Sequence, residues 1–400
     1  MPGNDDAEHR KVRASSGDRG RDHDHAAGLR APVPRHERRT VRGGEPWMVG
    51  VVPPAGRAQP DTGALPHGGQ CSPWSGPADG RTVGSHGGAV VSRGPPFDIP
   101  LTAGGYVWWY VDALSDNGEY GLTIIAFVGS VFSPYYALSR RVGTADPEDH
   151  VALNVALYGR RGQRWAMTER GRTTLRRSSD RLVIGPSRIA WEDDSLRIDV
   201  REWAVPIPQR IEGEVVIRPE VTPTAPLALD LAGRHHWHPI APLARASVRF
   251  NRPGVRWEGH AYVDSNVGQE PLADGFRDWN WSRTIERQRT RVFYDMVRRD
   301  GTAHGMALSF AGGGVHAIPE PPKSRLGLTR WRLPLDVRSD APGPKKIATW
   351  EDGPFYARSL VGLQLDGERT QAVHEYLSLE RLERRWVQAL LPFRMPRRAR

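Results

Sequence analysis

From residue 96 onward the chain is written in short apolar runs separated by turn signals. "YVWWYVDAL" (106–114) is followed by "SDNG" and then "YGLTIIAFVG" (120–129), the pattern of two strands joined by a tight turn. "HVALNVALYG" turns at "RRGQ" into "RWAMTE", and "SRIAW" turns at "EDDS" into "LRIDVREW". "IEGEVVIRPE", "ASVRF", "VRWEGHAYVDSN", "TRVFYDMVRRDG", "HGMALSFAGGG", "LTRWRLPLDV" and "RSLVGLQLDG" continue in the same way. Helical periodicity emerges only at "EYLSLERLERRWVQALL" near the end. Repeated strands at turn-like spacing predict an all-β chain of antiparallel sandwich or barrel type rather than βαβ units.

Composition shifts mark the boundaries. Residues 1–95 are rich in Gly, Pro, Arg, His and Asp without a sustained apolar period, and are expected to form a disordered extension. An upstream start assigned too early is one origin for such a segment. The Pro-bearing stretch "RPEVTPTAPLALDLAGR" (218–234) lacks alternation and reads as a linker. It divides the rest into β-domains over 96–225 and 226–378, followed by a tail over 379–400. The halves are similar in size, but no residue-level repeat relates them.

Charge and cysteine content narrow the function. The formal net charge is +10, yet the basic residues are scattered and come with no zinc-finger, helix-turn-helix or RNP-like pattern, so nucleic acid is not the expected partner. The single cysteine, Cys71, precludes an internal disulfide framework or a cysteine zinc site. No stretch approaches the ~20 apolar residues of a membrane-spanning helix. The start of the chain does not read as a secretory signal. The tail mixes Leu382, Trp386, Val387, Leu390, Leu391 and Phe393 with Arg381, Arg384, Arg385, Arg394, Arg397, Arg398 and Arg400. Such a mixture suits either an anionic membrane surface or a solvated end.

Three stretches carry candidate chemistry. In "GHAYVDSN" (259–266), period-two geometry puts His260, Tyr262 and Asp264 on one face of a strand. In "GRHHWHP", His235 and Trp237 share one face and His236 and His238 the other. His236 and His238 have the H-x-H spacing of strand-borne metal sites and His260 could supply a third ligand, but no carboxylate or cysteine recurs at a fixed spacing to complete a site. His235, Trp237, Tyr262 and Asp264 could instead meet in one apolar barrel and form an acid among aromatics. A carboxyl in such a place stays protonated near neutrality and can protonate carbon, and an aromatic face can hold the cation that results. The alternative is that "DSN" is ordinary turn chemistry, with Asp264 capping the turn. Trp108 and Tyr110 in the first strand, and Trp279 and Trp281 in "DGFRDWNWSRT", are either core or the wall of a long apolar ligand's site. No G-x-S-x-G elbow, Walker A loop or G-x-G-x-x-G fingerprint is present.

Taken together, "GGYVWWYVDALSDNGEYGLTIIAFVGSVFSPYYA", "DHVALNVALYG", "GRHHWHPIAP", "HAYVDSNVGQEPL" and "FRDWNWSR" resemble the bacterial carotenoid 1,2-hydratases, over roughly residues 95–380. No counterpart of the N-terminal extension is evident in that resemblance. It implies two lipocalin-like β-domains and addition of water to a terminal C=C of an acyclic carotene such as neurosporene or lycopene, with no cofactor. It carries the functional positions onto Asp264, His235, Trp237 and Tyr262. In the mechanism it implies, Asp264 gives the proton, Trp237 with Tyr262 stabilises the cation, and His235 orients the water and takes its proton; His260 is a bystander. The implied setting is cytoplasmic, peripheral to the inner or photosynthetic membrane. A carotenoid or isoprenoid carrier without chemistry, or a polyene isomerase or cyclase, would need the same aromatic walls.

Overall fold

The computed structural model describes residues 95–398, apart from residues 144, 161–162, 222–223 and 313. The expected disordered extension lies outside the described residues. In chain order the strands are β1 (Tyr106–Ser115), β2 (Tyr120–Val128), β3 (Val151–Gly159), β4 (Arg164–Arg170), β5 (Leu175–Arg177), β6 (Arg181–Ile184), β7 (Ser187–Glu192), β8 (Ser195–Trp203), β9 (Arg210–Pro219), β10 (Leu227–Ala228), β11 (His235–Arg252) and β12 (Val255–Gly268). There follow β13 (Phe276–Ile285), β14 (Arg289–Arg298), β15 (Ala303–Ala311), β16 (Gly314–Ala317), β17 (Lys323–Leu328), β18 (Pro334–Arg338), β19 (Lys345–Asp352), β20 (Tyr356–Leu365), β21 (Glu368–Ser378) and β22 (Arg397–Arg398). Helices are few and short: α1 (Pro134–Arg141), α2 (Leu272–Gly275), α3 (Leu379–Leu382) and α4 (Arg385–Arg394).

The strands form two large sheets, which bears out the all-β expectation. The first runs β22-β4-β3-β2-β1-β12-β11-β9-β8-β7-β6-β5, with β10 paired to β11; the second runs β16-β15-β14-β13-β21-β20-β19. All pairs are antiparallel except β22 with β4. A separate hairpin joins β17 and β18. β11 and β12 lie beyond the 218–234 linker yet pair with β9 and β1, so the changeover between sheets falls between Gly268 and Phe276. That is later than the boundary expected at 225/226. The linker breaks the alternation of the sequence without breaking the sheet.

β1 shows why the sheets divide where they do. All ten of its residues are buried, because it separates two cores. Val107, Trp109, Val111 and Ala113 face a core built from the first sheet, with Ile124, Val155, Ile198 and Val248. Tyr106, Trp108 and Tyr110 face a second core shared with Trp237 and Tyr262 of the first sheet and Trp279, Trp281, Tyr294 and Val373 of the second. A strand covered on both sides loses the apolar–polar alternation of a half-exposed one. That accounts for the unbroken run "YVWWYV".

The C-terminal segment is docked rather than free. Val387 and Leu391 of α4 are buried, the Arg394 guanidinium lies 4.2 Å from the Trp165 ring centroid, and Arg397 pairs with Glu169 and reaches His150 Nδ1 at 2.9 Å. Trp386, Leu390 and Phe393 are left exposed, Phe393 by 75%. Part of the apolar set read from the sequence as one amphipathic face is therefore core. Among the described residues no helix is long and apolar enough to cross a membrane.

Candidate active site

Asp264 sits in the interior of β12, opposite Tyr110 of β1 on one side and Pro239 of β11 on the other. The turn-capping reading of "DSN" is thereby overturned: the strand continues to Gly268, held on both flanks. The pairing of β11 with β12 shifts register twice, between Pro239 and Ala241 and between Ala241 and Ala244. Pro239 and Pro242 cannot donate to a sheet ladder, so a strand carrying both must bulge, and bulges re-aim the side chains around them.

Tyr262 and Asp264 share a face, as period-two geometry requires, and the Tyr262 hydroxyl donates to Asp264 Oδ2 at 2.8 Å. Trp237 Nε1–H donates to the same oxygen, also at 2.8 Å. Oδ1 is buried and has no protein partner. Burial pushes the Asp264 carboxyl up to about 8, with smaller upward contributions from the charges of Glu375 and Asp112; the two donors oppose the shift. Because Oδ2 accepts two hydrogen bonds, the proton of the neutral acid belongs on Oδ1. The result is a carboxylic acid held by one oxygen with its acidic O–H unengaged.

That acid lines a small pocket whose walls include Trp108, Tyr110, Trp279, Trp281, Tyr294 and Phe127. The four aromatic residues singled out from the sequence as possible walls, Trp108, Tyr110, Trp279 and Trp281, all come together here. Rings pack around the acid: Tyr110 meets Trp281 edge to face at 5.5 Å between centroids, and Tyr262 packs tilted on Trp281 at 5.2 Å. Beneath them a buried ion pair joins Asp112 to Arg283, whose Nε lies 2.8 Å from Oδ1.

Of the four expected catalytic residues only Asp264 lines the pocket; Tyr262 holds Asp264 from behind the wall, and the other two are placed as follows. Trp237 is fully buried but does not line the pocket; its ring packs on Tyr294 at 5.2 Å while its N–H holds Asp264. His235 is also fully buried and off the pocket. The Tyr106 hydroxyl and His235 Nδ1 are 2.9 Å apart, and His235 Nε2 lies 3.3 Å from Glu270 Oε1. Burial lowers its pKa. His235 is connected to the pocket through Tyr106, which stacks on Trp108 at 5.0 Å, and through Phe276, which packs on His235 at 5.0 Å and on Trp279 at 5.7 Å. Two glycines, Gly268 at the end of β12 and Gly275 at the end of α2, make room for the Tyr106–His235 pair: a Cβ at Gly268 would overlap the Tyr106 ring and lie 2.9 Å from His235 Nδ1, and one at Gly275 would lie 2.7 Å from His235 Nε2.

His260 lies outside the pocket, half-buried and 3.9 Å from Asp116. Among the described residues no three His, Cys, Asp or Glu side chains are placed to hold a metal ion, so the His236, His238 and His260 arrangement does not assemble.

Sequence reading missed Tyr294, Asn266 and Glu375, all of which line the pocket. Asn266 Nδ2 donates to the Tyr294 hydroxyl at 3.2 Å. Glu375 occupies a core-facing position of β21 between buried Val373 and Leu377. An acid at an inward position of an alternating strand was a usable signal.

The family model for the carotenoid hydratase CrtC matches residues 124–400. An acyclic carotenoid 1,2-hydratase from Thiocapsa roseopersicina is 48% identical over 377 residues, covering 93% of each chain. One from Rubrivivax gelatinosus is 48% identical, covering 94% of this chain and 93% of its own. One from Cereibacter sphaeroides is 38% identical over 69% of this chain and 98% of its own. The first two matches cover more of the chain than residues 96–400 can supply, so the N-terminal extension does have counterparts, contrary to the expectation from sequence. The chain belongs to the carotenoid hydratase family.

Proposed function

We propose that this protein adds water to the terminal C1=C2 bond of an acyclic carotene, giving a tertiary alcohol at C1, without a cofactor. The observation that carries the chemistry is Asp264: a neutral acid, its Oδ1 without a protein partner, on the wall of an aromatic pocket. The Oδ1–H bond breaks as a C–H bond forms at C2, and the π electrons leave an empty orbital at C1, the carbon bearing two methyl groups. The pocket is mostly apolar, and the faces and edges of Trp281, Trp279, Tyr110 and Tyr294 surround the developing charge. A cation over an aromatic face gains ~0.5–2 kcal/mol. Water then attacks C1 and loses a proton.

The roles follow the positions. Trp237 and Tyr262 hold Asp264 by its other oxygen and stabilise the carboxylate left when the proton departs. His235 keeps Tyr106 and, through it, Trp108 in place; it is a positioning residue rather than the group that handles water.

The substrate is a membrane-dissolved hydrocarbon, and the exposed Trp386, Leu390 and Phe393 are flanked by Arg385 and Arg394 on α4. This face suits peripheral docking on an anionic bilayer on the cytoplasmic side. A groove lined by Trp331, Trp350, Leu390 and Phe393 lies beside it and shares Tyr356 with the reaction pocket. The test is incubation of the purified protein with neurosporene or lycopene in liposomes, chelator present, followed by mass analysis. A product heavier by one water supports the reading. Carotene that binds and is recovered unchanged sinks it.

A further inference from the structure

Adding water across a double bond needs a group to release a proton and a group to receive one. Asp264 is the first. Among the residues lining the pocket, Glu375 is the one other carboxyl group. Burial raises the pKa values of Tyr110, Tyr294 and Tyr356, so these remain phenols and cannot serve as resting bases. His235 lies off the pocket behind Tyr106.

Glu375 is built as the ionised counterpart of Asp264. Its Oε1 accepts from the Tyr110 hydroxyl at 2.6 Å and from Arg358 Nε at 2.8 Å. Arg358 is 1% exposed and forms a second ion pair, 2.8 Å, with Glu351. A buried guanidinium against the carboxylate supplies the counter-charge that Asp264 lacks. Two carboxyl groups on one pocket, one neutral in an apolar place and one paired with arginine, form the division that separates an acid from a base. The pair also reinforces itself, because the charge on Glu375 helps keep Asp264 protonated.

Resting on the hydratase reading above, we infer that Glu375 is the catalytic base that accepts the proton of the attacking water. After protonation at C2, a water oxygen donates a lone pair to C1 and the C1–O bond forms. An O–H bond of that oxygen then breaks, its electrons staying on oxygen and its proton passing to the Glu375 carboxylate. When product leaves, the proton on Glu375 is exchanged through water for one on Asp264, and the starting state is restored. The summed reaction consumes one water and nothing else.

A base for water makes a difference that a merely structural residue does not. Without it the cation still forms at Asp264 but is captured poorly, and it collapses by losing a proton back to the Asp264 carboxylate. In D2O, each collapse that removes a hydrogen of a C1 methyl group or the original hydrogen of C2, rather than the deuteron just delivered, leaves deuterium in recovered carotene. The experiment is E375Q beside the unmodified protein, with neurosporene in liposomes in D2O, measuring hydrated product and deuterated unhydrated carotene together. The expected result is a fall in hydration of about 10²-fold, with a rise of the same order in the ratio of deuterated carotene to alcohol. That ratio does not depend on how much of the variant is folded. Unchanged hydration, or a fall in both products at a constant ratio, would overturn the assignment. Should E375Q prove insoluble, E375D keeps the charge facing Arg358 while drawing the carboxylate back, and the same rise in ratio is expected; a constant ratio there would equally overturn it. Failure of the unmodified protein to make alcohol at all would count against the hydratase reading itself, and the control arm separates the two.

Discussion

Trp237 and Tyr262 donate to the same oxygen of Asp264, each at 2.8 Å, and leave the other oxygen without a protein partner. This asymmetry turns a buried carboxyl group into a directed acid. Two donors on Oδ2 fix the orientation of the group and accommodate the negative charge after transfer. The reactive proton on Oδ1 is left unengaged beside the pocket. Strand geometry sets Tyr262 beside Asp264, and the pairing of β11 with β12 brings in Trp237 from 27 positions away.

Asp264→Asn keeps an acceptor for both donors and removes the acid. Hydration is expected to fall by at least about 10³-fold, within the range for loss of a general acid. The same substitution is expected to stabilise the fold. The folded carboxyl holds its proton up to about pH 8, whereas the unfolded one releases it near ~4. The folded state therefore binds the extra proton between these values and loses stability as pH rises through them, by roughly 5 kcal/mol in all. Denaturant unfolding at pH 5 and pH 8 checks it: the advantage of Asp264→Asn should be larger at pH 8 by more than ~1 kcal/mol.

Tyr262→Phe and Trp237→Phe each remove one donor to Oδ2. Both donors lower the Asp264 pKa, so the alkaline limb of the rate profile should move to higher pH in each variant while the maximal rate falls. A hydrogen bond to a charged group contributes ~1.5–3 kcal/mol, which sets a shift on the order of one pH unit or more. If Trp237 acted through its ring alone, Trp237→Phe would leave the limb where it is.

Trp281→Leu keeps the pocket apolar but removes a ring packed against both Tyr110 and Tyr262. Loss of ~0.5–2 kcal/mol of cation stabilisation corresponds to a kcat lower by roughly 2–30-fold. Single-turnover rates with saturating carotene separate this from weaker binding.

Gly268→Ala tests the wall behind Trp108. The added methyl overlaps the Tyr106 ring, and Tyr106 carries both the contact with His235 and the stack on Trp108. A loss of about 1–3 kcal/mol in stability is expected, together with weaker substrate binding. His235→Gln, which can still bond Tyr106, should retain far more activity than His235→Ala. Equal loss in both would restore His235 as a proton-handling group.

Phe393→Ser combined with Trp386→Ser removes two exposed aromatics from α4. Burying one large apolar side chain contributes ~1.5–3 kcal/mol, so retention on anionic vesicles should drop by at least about tenfold. Turnover of carotene presented in detergent should change little.

Much of this was legible in the sequence, and the rest has identifiable reasons for being hidden. The neighbours Tyr262 and Asp264 follow from strand geometry alone, and the turn signals announced the antiparallel sheets. The turn chemistry of "DSN" misled because propensity is local, whereas β12 is clamped between β1 and β11. The 218–234 linker misled for a related reason: a Pro-rich connection interrupts alternation but does not decide which strands pair after it. His235 shares a face with Trp237, yet two residues along a strand is ~7 Å, enough to take one side chain behind the wall and the other to the acid. The inward position of Glu375 on β21 was legible, but its partner was not: Tyr110 lies 265 positions away along the chain.

The most direct test of the central claim is the protonation state of Asp264 itself. Infrared difference spectra between the unmodified protein and Asp264→Asn, recorded across pH 5–10, isolate the carboxylic C=O band of this one residue. The account requires a protonated acid at pH 7 whose band disappears with a midpoint near pH 8. A carboxylate already present at pH 7, with no acid band above pH 5, would contradict it.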